Sequence, residues 1–266
     1  DLTVVGVAPF QHILQGAGVA SFETPAAAAT AISYLSGWSR AQKALTRVPS
    51  SRGEDIRGDR AAALAVLRQA AAEGRRMLTE PEAKAVISAY EIPVPETMVV
   101  RDAEEAGKAA ERLLARSPVV VKLLSRAITH KSDVGGVVLG IETPEAAAEA
   151  VRGIANRLTE TGEAAKIDGF VVQPMVTRKG AQELILGVSR DPMFGPVILF
   201  GAGGTAVEVL DDTAIALPPL DSVLAGDLID RTRIGRLLAG YRDRPPANRE
   251  RIVRALLGLS QLVVDF

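Results

Sequence analysis

The sequence predicts a mixed α/β (α+β) fold, and three features predict it. Up to about residue 160 one device recurs: a short apolar run, a Thr-Pro or Asp cap, and an Ala-rich helical stretch. Between residues 167 and 217 β-rich runs parted by Gly, Pro and Asp take over. From Asp221 onward the apolar spacing is helical again. The recurring device is the ordinary grammar of α/β layering rather than a sequence repeat.

Taken in order, residues 1–45 read strand, helix, strand, helix. Leu2 to Val7 and Val19 to Phe22 are the strands, and Thr24-Pro25 opens a helix running to about Leu45. The chain begins in mid-pattern at Asp1-Leu-Thr-Val-Val, as expected of a piece of something longer. Residues 46–59 mix Pro, Gly, Ser and charge without periodicity and read as a mobile linker. Arg60 to Ala72 has helical spacing. Thr79-Glu-Pro-Glu82 is a capping box that opens a helix to about Tyr90, and Ile92-Pro-Val-Pro95 stops it. Thr97 to Val100 is a strand, Asp102 caps a helix to about Ala115, and 118–123 is a β-branched strand. A polar loop leads to the strand Val137 to Ile141, and Thr143-Pro144 starts a helix to about Glu160. The later strands are expected at 170–174, 182–189, 197–200, 205–210 and 214–217. Helices follow at 221–230, 233–240 and from 247, with Arg244-Pro-Pro246 as the break.

Composition removes several functions. The chain has 266 residues, 47% hydrophobic and 24% charged, as in an ordinary soluble globular protein with ample core. Aromatics are 4%, so Ala, Val, Leu and Ile must build that core. A net charge of −1 offers no field for nucleic acid or an anionic membrane. No cysteine is present, which excludes disulfides, thiolate metal sites and a cysteine nucleophile, and suits a cytoplasmic protein. His12 and His130 are the only histidines, so a His-rich metal site is impossible. No apolar run approaches the roughly 20 residues needed to span a bilayer, and the N-terminus lacks the zones of a signal peptide.

The chemistry concentrates in the loop after the 118–123 strand. Lys122 ends a β-branched run, so its stem is expected to be buried and its ammonium to need an anion: either an ordinary salt bridge or a phosphate. Ser125, Thr129, His130, Lys131, Ser132 and Asp133 follow, then Gly135-Gly136, where backbone can approach a ligand closely. Two ammonium groups, an imidazole and free backbone N–H groups are phosphate-handling parts. His130 itself is either a satisfied loop histidine or a nucleophile, and neutral imidazole is competent near pH 7. No P-loop exists, because Lys131-Ser132 follows a histidine where a glycine is required. Gly201-Ala-Gly-Gly-Thr-Ala206 fits a dinucleotide fingerprint, but an alternating strand pattern follows where a helix is needed. Glu208 in that strand points away from Val207 and Val209, toward water or into a site. Gly203-Gly204 just before it favours the site, since phosphate could lie against the turn. Asp191 either caps a Pro turn or serves as a carboxylate for His130. His12 reads as structural.

These blocks resemble the ATP-grasp region of the NDP-forming acyl-CoA synthetases, the acetate–CoA ligases (ADP-forming). The family motif runs Lys, Ser-Pro, His-Lys-Ser/Thr, Asp/Glu, any residue, Gly-Gly-Val; Lys122, Ser125 and the run from His130 to Val137 match it, with Arg126 standing in the Pro position. Phe200 to Val209 resembles the second signature, and Val172-Gln-Pro-Met-Val176 the adenine hinge. The likeness covers about 77–220 strongly and 1–45 more weakly. It implies an ATP-grasp fold of two lobes, with about 101–190 as a mobile cover over a base of 60–100 and 191–266, preceded by a remnant of a flavodoxin-like CoA-ligase domain over 1–45.

It further implies that Mg–ATP passes a phosphoryl group to His130, with Asp191 as its carboxylate partner. Lys122, Ser125, Lys131, Gly135, Gly136, Gln173, Met175, Val176, Glu183, Gly203 and Gly204 would hold the nucleotide, and Glu208 the Mg²⁺. The family's Asp-x-Asn metal segment would lie past Phe266, and CoA would bind on the missing portion. Implied partners are the CoA-binding and CoA-ligase domains of the same polypeptide, in a homo-oligomer. The blocks at 216–220, 231–233 and 240–246 are most like members fused to a GNAT-type acetyltransferase. Two alternatives stay open: a nucleotide- or acyl-CoA-sensing module of such an acetyltransferase without turnover, and a biotin- or amino-acid-type ATP-grasp ligase with no phosphohistidine.

Overall fold

A computed structural model describes residues 13–14, 16–46, 56–128, 130–178, 180–204, 211–242 and 245–266. The strands expected at 2–7 and 205–210, His12, Thr129, Glu208 and most of the 46–59 segment lie outside them. The chain divides into two units, residues 1–49 and 50–266.

In the first unit helix α1, Pro25–Leu45, starts where the Thr-Pro pair predicts. The Thr24 hydroxyl accepts a hydrogen bond from the Ala27 N–H at 3.1 Å. Val19 to Phe22, expected as a strand, joins no sheet. A four-residue apolar run needs a neighbouring strand to pair with, and the described residues of this unit offer none.

The second unit holds the elements that position the site. Helices α2 (Arg60–Ala72) and α3 (Glu80–Ser88) come first. Strand β1 (Met98–Val100), helix α4 (Ala103–Leu114), strands β2 (Val119–Leu124) and β3 (Val137–Ile141), and helix α5 (Pro144–Glu160) follow. A short 3₁₀ turn at Ala164–Lys166 leads to β4 (Gly169–Pro174). These strands form one antiparallel sheet in the order β1-β4-β2-β3. A second antiparallel sheet joins β5 (Leu184–Asp191), β6 (Gly195–Ala202) and β7 (Thr213–Ala216). Helices α6 (Ser222–Asp230), α7 (Arg233–Leu238) and α8 (Arg249–Asp265) complete the unit. The span expected as one lobe over 101–190 thus ends in β5, which pairs into the second sheet.

Capping side chains set these helices. Asp59, Asp102, Thr143, Asp221, Thr232 and Asn248 each accept a hydrogen bond from a first-turn N–H, between 2.8 and 3.1 Å. Caps of this kind contribute about 1 kcal/mol each.

The first sheet has two faces with different work. Val119, Val121 and Leu123 of β2 and Phe170 and Val172 of β4 point one way, into a core shared with α4 and α5. Those helices present Ala106, Ala109, Ala110 and Leu113, and Ala147, Ala150, Val151, Ile154 and Leu158, at helical spacing. Their small Ala faces let them lie close on the sheet. Lys122 and Gln173 alternate onto the opposite face, away from both helices.

The second sheet packs Ile198, Phe200 and Ala202 against Leu228, Ile229, Leu238 and Leu256 of the final helices. Tyr90, fully buried, joins α2 and α3 to Leu262 of α8 and donates its hydroxyl to Asp265 at 2.6 Å. Gly58 leaves the space that the Tyr90 ring fills, since a Cβ there would stand 2.3 Å from the ring.

Leu113, 1% exposed, is one of the large side chains between α4, α5 and the sheet. We expect Leu113→Ala to lower unfolding free energy by about 2–5 kcal/mol in a denaturant titration, the cost of a buried cavity.

Candidate active site

Helix α3 enters the site with two acidic residues in its first turn, and they have different employment. Glu82 closes the cap: its Oε2 accepts from the Thr79 N–H at 2.7 Å and from the Thr79 hydroxyl at 2.8 Å. Arg75 takes the charge of Glu82 through its two terminal guanidinium nitrogens, at 2.8 and 2.7 Å. Those Arg75 hydrogen bonds hold the Glu82 carboxyl at about 2, against the opposing pull of partial burial.

Glu80 is left free to face the first sheet. Its Oε1 accepts from Lys122 Nζ of β2 at 2.9 Å and lies 2.9 Å from Lys84 Nζ one turn along α3. Its Oε2 accepts from Lys131 Nζ of the His130 loop at 3.4 Å. Burial pushes the pKa of Glu80 up, but hydrogen bonds and charge from Lys122 and Lys84 outweigh it and hold the group at about 2. Lys84 also donates to Thr97 Oγ1 at 2.9 Å and to the side-chain oxygen of Gln173, a short contact. Three ammonium groups therefore share one carboxylate in a half-buried setting, and a surplus of two positive charges remains. Such a cluster is electrostatically suited to a polyanion.

The loop carrying His130 is shaped by its own backbone. Ser125 Oγ accepts from the N–H groups of Ala127 and Ile128 at 3.1 and 3.0 Å. The Asp168 carboxylate accepts from the Arg126 N–H at 2.6 Å, so the residue in the family's Pro position uses a donor that a proline lacks. The N–H groups expected to be free at Gly135-Gly136 are occupied: Gly135 donates to Ser132 O at 3.0 Å and Gly136 to Lys131 O at 2.7 Å. Packing also requires the glycines. Gly135 has φ 64°, and a Cβ on Gly136 would stand 2.9 Å from Lys131 O and 3.0 Å from Leu123 Cβ. His130 is exposed, and no side chain among the described residues hydrogen-bonds its ring. Asp191, expected as its carboxylate partner, closes the β5–β6 turn. It accepts from the N–H groups of Phe194 and Met193 at 2.9 and 2.8 Å, and these hold its carboxyl below the usual value. That is the turn-capping alternative, and its oxygens make no bond to His130.

The hinge residues gather separately. Met175 N–H donates to Pro118 O at 2.8 Å. Val176 and Glu183 line an open cleft of about 730 Å³ with Thr177, Arg178, Ala181 and Gln182. Gly203 and Gly204 lie against Glu183: the Gly203 N–H donates to Glu183 O at 2.8 Å, and a Cβ on Gly204 would meet Glu183 Oε2 at 2.9 Å. The Gly203 amide, too, is therefore engaged within the protein. Among the described residues no three acidic or histidine groups gather as a metal cluster, and Glu80 is engaged with ammonium groups; the metal expectation rests on Glu208. No helix among the described residues is long and apolar enough to cross a membrane.

Glu80 and Lys84 are the site residues that sequence reasoning missed. The available signal was the second acid in Thr79-Glu-Pro-Glu82, superfluous to a cap that Glu82 completes, with a lysine four residues on.

Residues 69–266 match the ATP-grasp domain model. The chain is 38% identical over 203 residues to subunit beta of an acetate–CoA ligase [ADP-forming] II from Pyrococcus furiosus, covering 76% of this chain and 84% of that one. Of two further curated ligases, for 4-hydroxybutyrate and acetate, it spans only 34% and 36% of the length. The acetyl-coenzyme A synthetase 1 of Ca. Korarchaeum cryptofilum, solved with coenzyme A and Ca-AMPCP, superposes with a TM-score of 0.70 at 35% identity, over 77% of this chain and 87% of that one. A further structure of that enzyme, with coenzyme A and Mg-AMPPCP, is described with its phosphohistidine segment pointing towards the nucleotide site. It matches with a TM-score of 0.63 at 34% identity, over 74% of this chain and 84% of that one. The chain belongs to the ATP-grasp family, as the beta-subunit-like region of an ADP-forming acyl-CoA synthetase.

Glu80 and Glu82 titrate below the ordinary carboxylate value of about 4.3, so the stability they contribute is present above that value and lost as pH falls toward 2. We expect the denaturation midpoint to drop between about pH 4.5 and 2. Glu80→Gln and Glu82→Gln should each flatten that fall; an unchanged slope in both variants would remove these carboxylates as its source.

Proposed function

We propose that residues 60–266 bind Mg–ATP between α3 and the first sheet and exchange its γ-phosphoryl group with His130. The observation that carries this reading is the meeting of Lys122 and Lys131 at Glu80. It brings the residue next to His130 to the strand lysine that the resemblance assigns to the phosphates. The hinge cleft beside Met175, Val176 and Glu183 suits the adenosine end, with Glu183 toward the ribose. Ser125, Gly135 and Gly136 serve by holding the loop, and Gly203 and Gly204 by seating Glu183.

Lysine ammonium groups take the phosphate oxygens and neutralise charge as it shifts to the leaving group. A ring nitrogen of His130 forms a bond to the γ-phosphorus while the bond from that phosphorus to the β,γ-bridging oxygen breaks. The bond's electron pair leaves with ADP, and the imidazole proton goes to solvent. Mg²⁺, assigned to Glu208, would supply further neutralisation of the phosphates. Exposure of the ring leaves it accessible to a second partner after phosphorylation.

The whole reaction, acid + CoA + ATP to acyl-CoA + ADP + phosphate, also needs CoA-binding and CoA-ligase portions. Residues 1–45 are assigned to the latter's flavodoxin-like domain and 46–59 to the linker. Attachment to an acetyltransferase is supported by the blocks at 216–220, 231–233 and 240–246 alone.

Incubating the full-length protein with Mg–ATP labelled in the γ-phosphate should give an acid-labile phosphohistidine at residue 130 by mass spectrometry. His130→Ala should abolish the label with ATP affinity retained. Lys122→Met should weaken ATP binding about 10–100-fold, the loss of one charge-assisted contact of about 1.5–3 kcal/mol. Labelling of His130→Ala at the wild-type level removes the nucleophile role.

A further inference from the structure

Glu80 has no part in the reaction as proposed, yet its connections cross the molecule. Its helix does not need it, because Glu82 caps α3 and Arg75 neutralises Glu82. Its two oxygens divide their partners. Oε1 takes Lys122 from the sheet and Lys84 from its own helix, and Oε2 takes Lys131 from the His130 loop. Lys84 carries the tie onward to Gln173 of β4, on the same sheet face as Lys122.

We infer that Glu80 is a positioning residue, which from the first turn of α3 locks the His130 loop against the sheet by holding Lys131 and Lys122 on one carboxylate. The inference rests on the proposed phosphoryl transfer to His130 and assigns the residue that sets the loop for it. Three of the loop's other contacts run within it or to its own lobe: Ser125 to Ala127 and Ile128, Asp168 to Arg126, and Arg157 to Gly135 O. At its start the exposed Arg126 guanidinium also lies 3.7 Å from Glu73 at the end of α2. Among the described residues the Lys131 ammonium is the one side-chain tie from the loop's His-Lys tip to α3. Removing the carboxylate would release that tie and leave three ammonium groups facing each other without a counter-charge. Binding and chemistry should then respond in opposite directions. Less negative charge at the site favours a polyanion, whereas a loosened His130 loses its alignment for attack.

The full-length protein and its Glu80→Gln, Lys131→Gln and double variants test this. With Mg–ATP, Glu80→Gln should slow single-turnover phosphorylation of His130 about tenfold or more, as expected for lost alignment. ATP affinity, by equilibrium titration, should be unchanged or tighter; a merely structural residue would weaken both. In the Lys131→Gln background the Glu80 substitution should cost nothing further, because the two act as one unit. Without nucleotide, amide exchange across 126–134 should quicken in Glu80→Gln. Unchanged exchange in that region, or full additivity of the two substitutions, overturns the inference. Absence of any label on wild-type His130 overturns the phosphoryl-transfer reading instead, and the exchange measurement still decides whether Glu80 holds the loop.

Discussion

Three lysines from three segments bring their ammonium groups to Glu80, and after that pairing two positive charges are left over. At an effective dielectric near 20, unit charges about 4 Å apart exchange about 4 kcal/mol. Lys84 and Lys122 lie 2.9 Å from the carboxylate, so those attractions outweigh the longer-range repulsion among the lysines. The arrangement persists although each ion is partly desolvated, a cost of several kcal/mol per ion when burial is complete. In the proposed function the cations meant for phosphate are thus assembled in advance, so little ordering is left for binding to supply.

That assembly depends on a division of labour in one helical turn. A lone glutamate at the start of α3 could cap the helix or gather lysines, but its two oxygens could not do both. Glu82 and Arg75 take the capping and its charge, which frees Glu80 two residues earlier to point at the sheet. Alternation in β2 does the complementary work. It sends Val119, Val121 and Leu123 into the helix-covered core and Lys122 to the other face, so a strand buried along almost its whole length still offers one ammonium to the site.

Most of the second unit was legible because its boundaries are chemical. Thr79, Asp102 and Thr143 announce helix starts that the structure places within a residue or two. The runs expected as strands at 118–123 and 170–174 fold as the two inner strands of the first sheet. Val19 to Phe22 failed because strand formation depends on a partner that local composition cannot report. At the site, Lys122 and Lys131 could be picked out by type and position, but Glu80 and Lys84 could not. Their significance lies in a contact across 42 residues to Lys122 and 51 to Lys131, and no period or motif encodes that meeting. Gly135-Gly136 was legible as a need for glycine, and the structure adds a packing reason: Lys131 O and the Leu123 side chain crowd Gly136, and Arg157 crowds Gly135 at a positive φ.

Adjacent residues in the loop have opposite fates, and the contrast bears on function. The Lys131 side chain is 17% exposed and tied to α3, while His130 stands in solvent without a side-chain partner among the described residues. A histidine held by a carboxylate would be oriented but shielded; an exposed one is reachable from more than one side and needs its backbone placed by something else. Lys131 supplies that placement from the neighbouring position, so the imidazole is located without being covered. Under the proposed transfer, a group that accepts a phosphoryl at one site and surrenders it at another must meet both demands, and the pairing of a pinned lysine with a free histidine is suited to them with two consecutive residues.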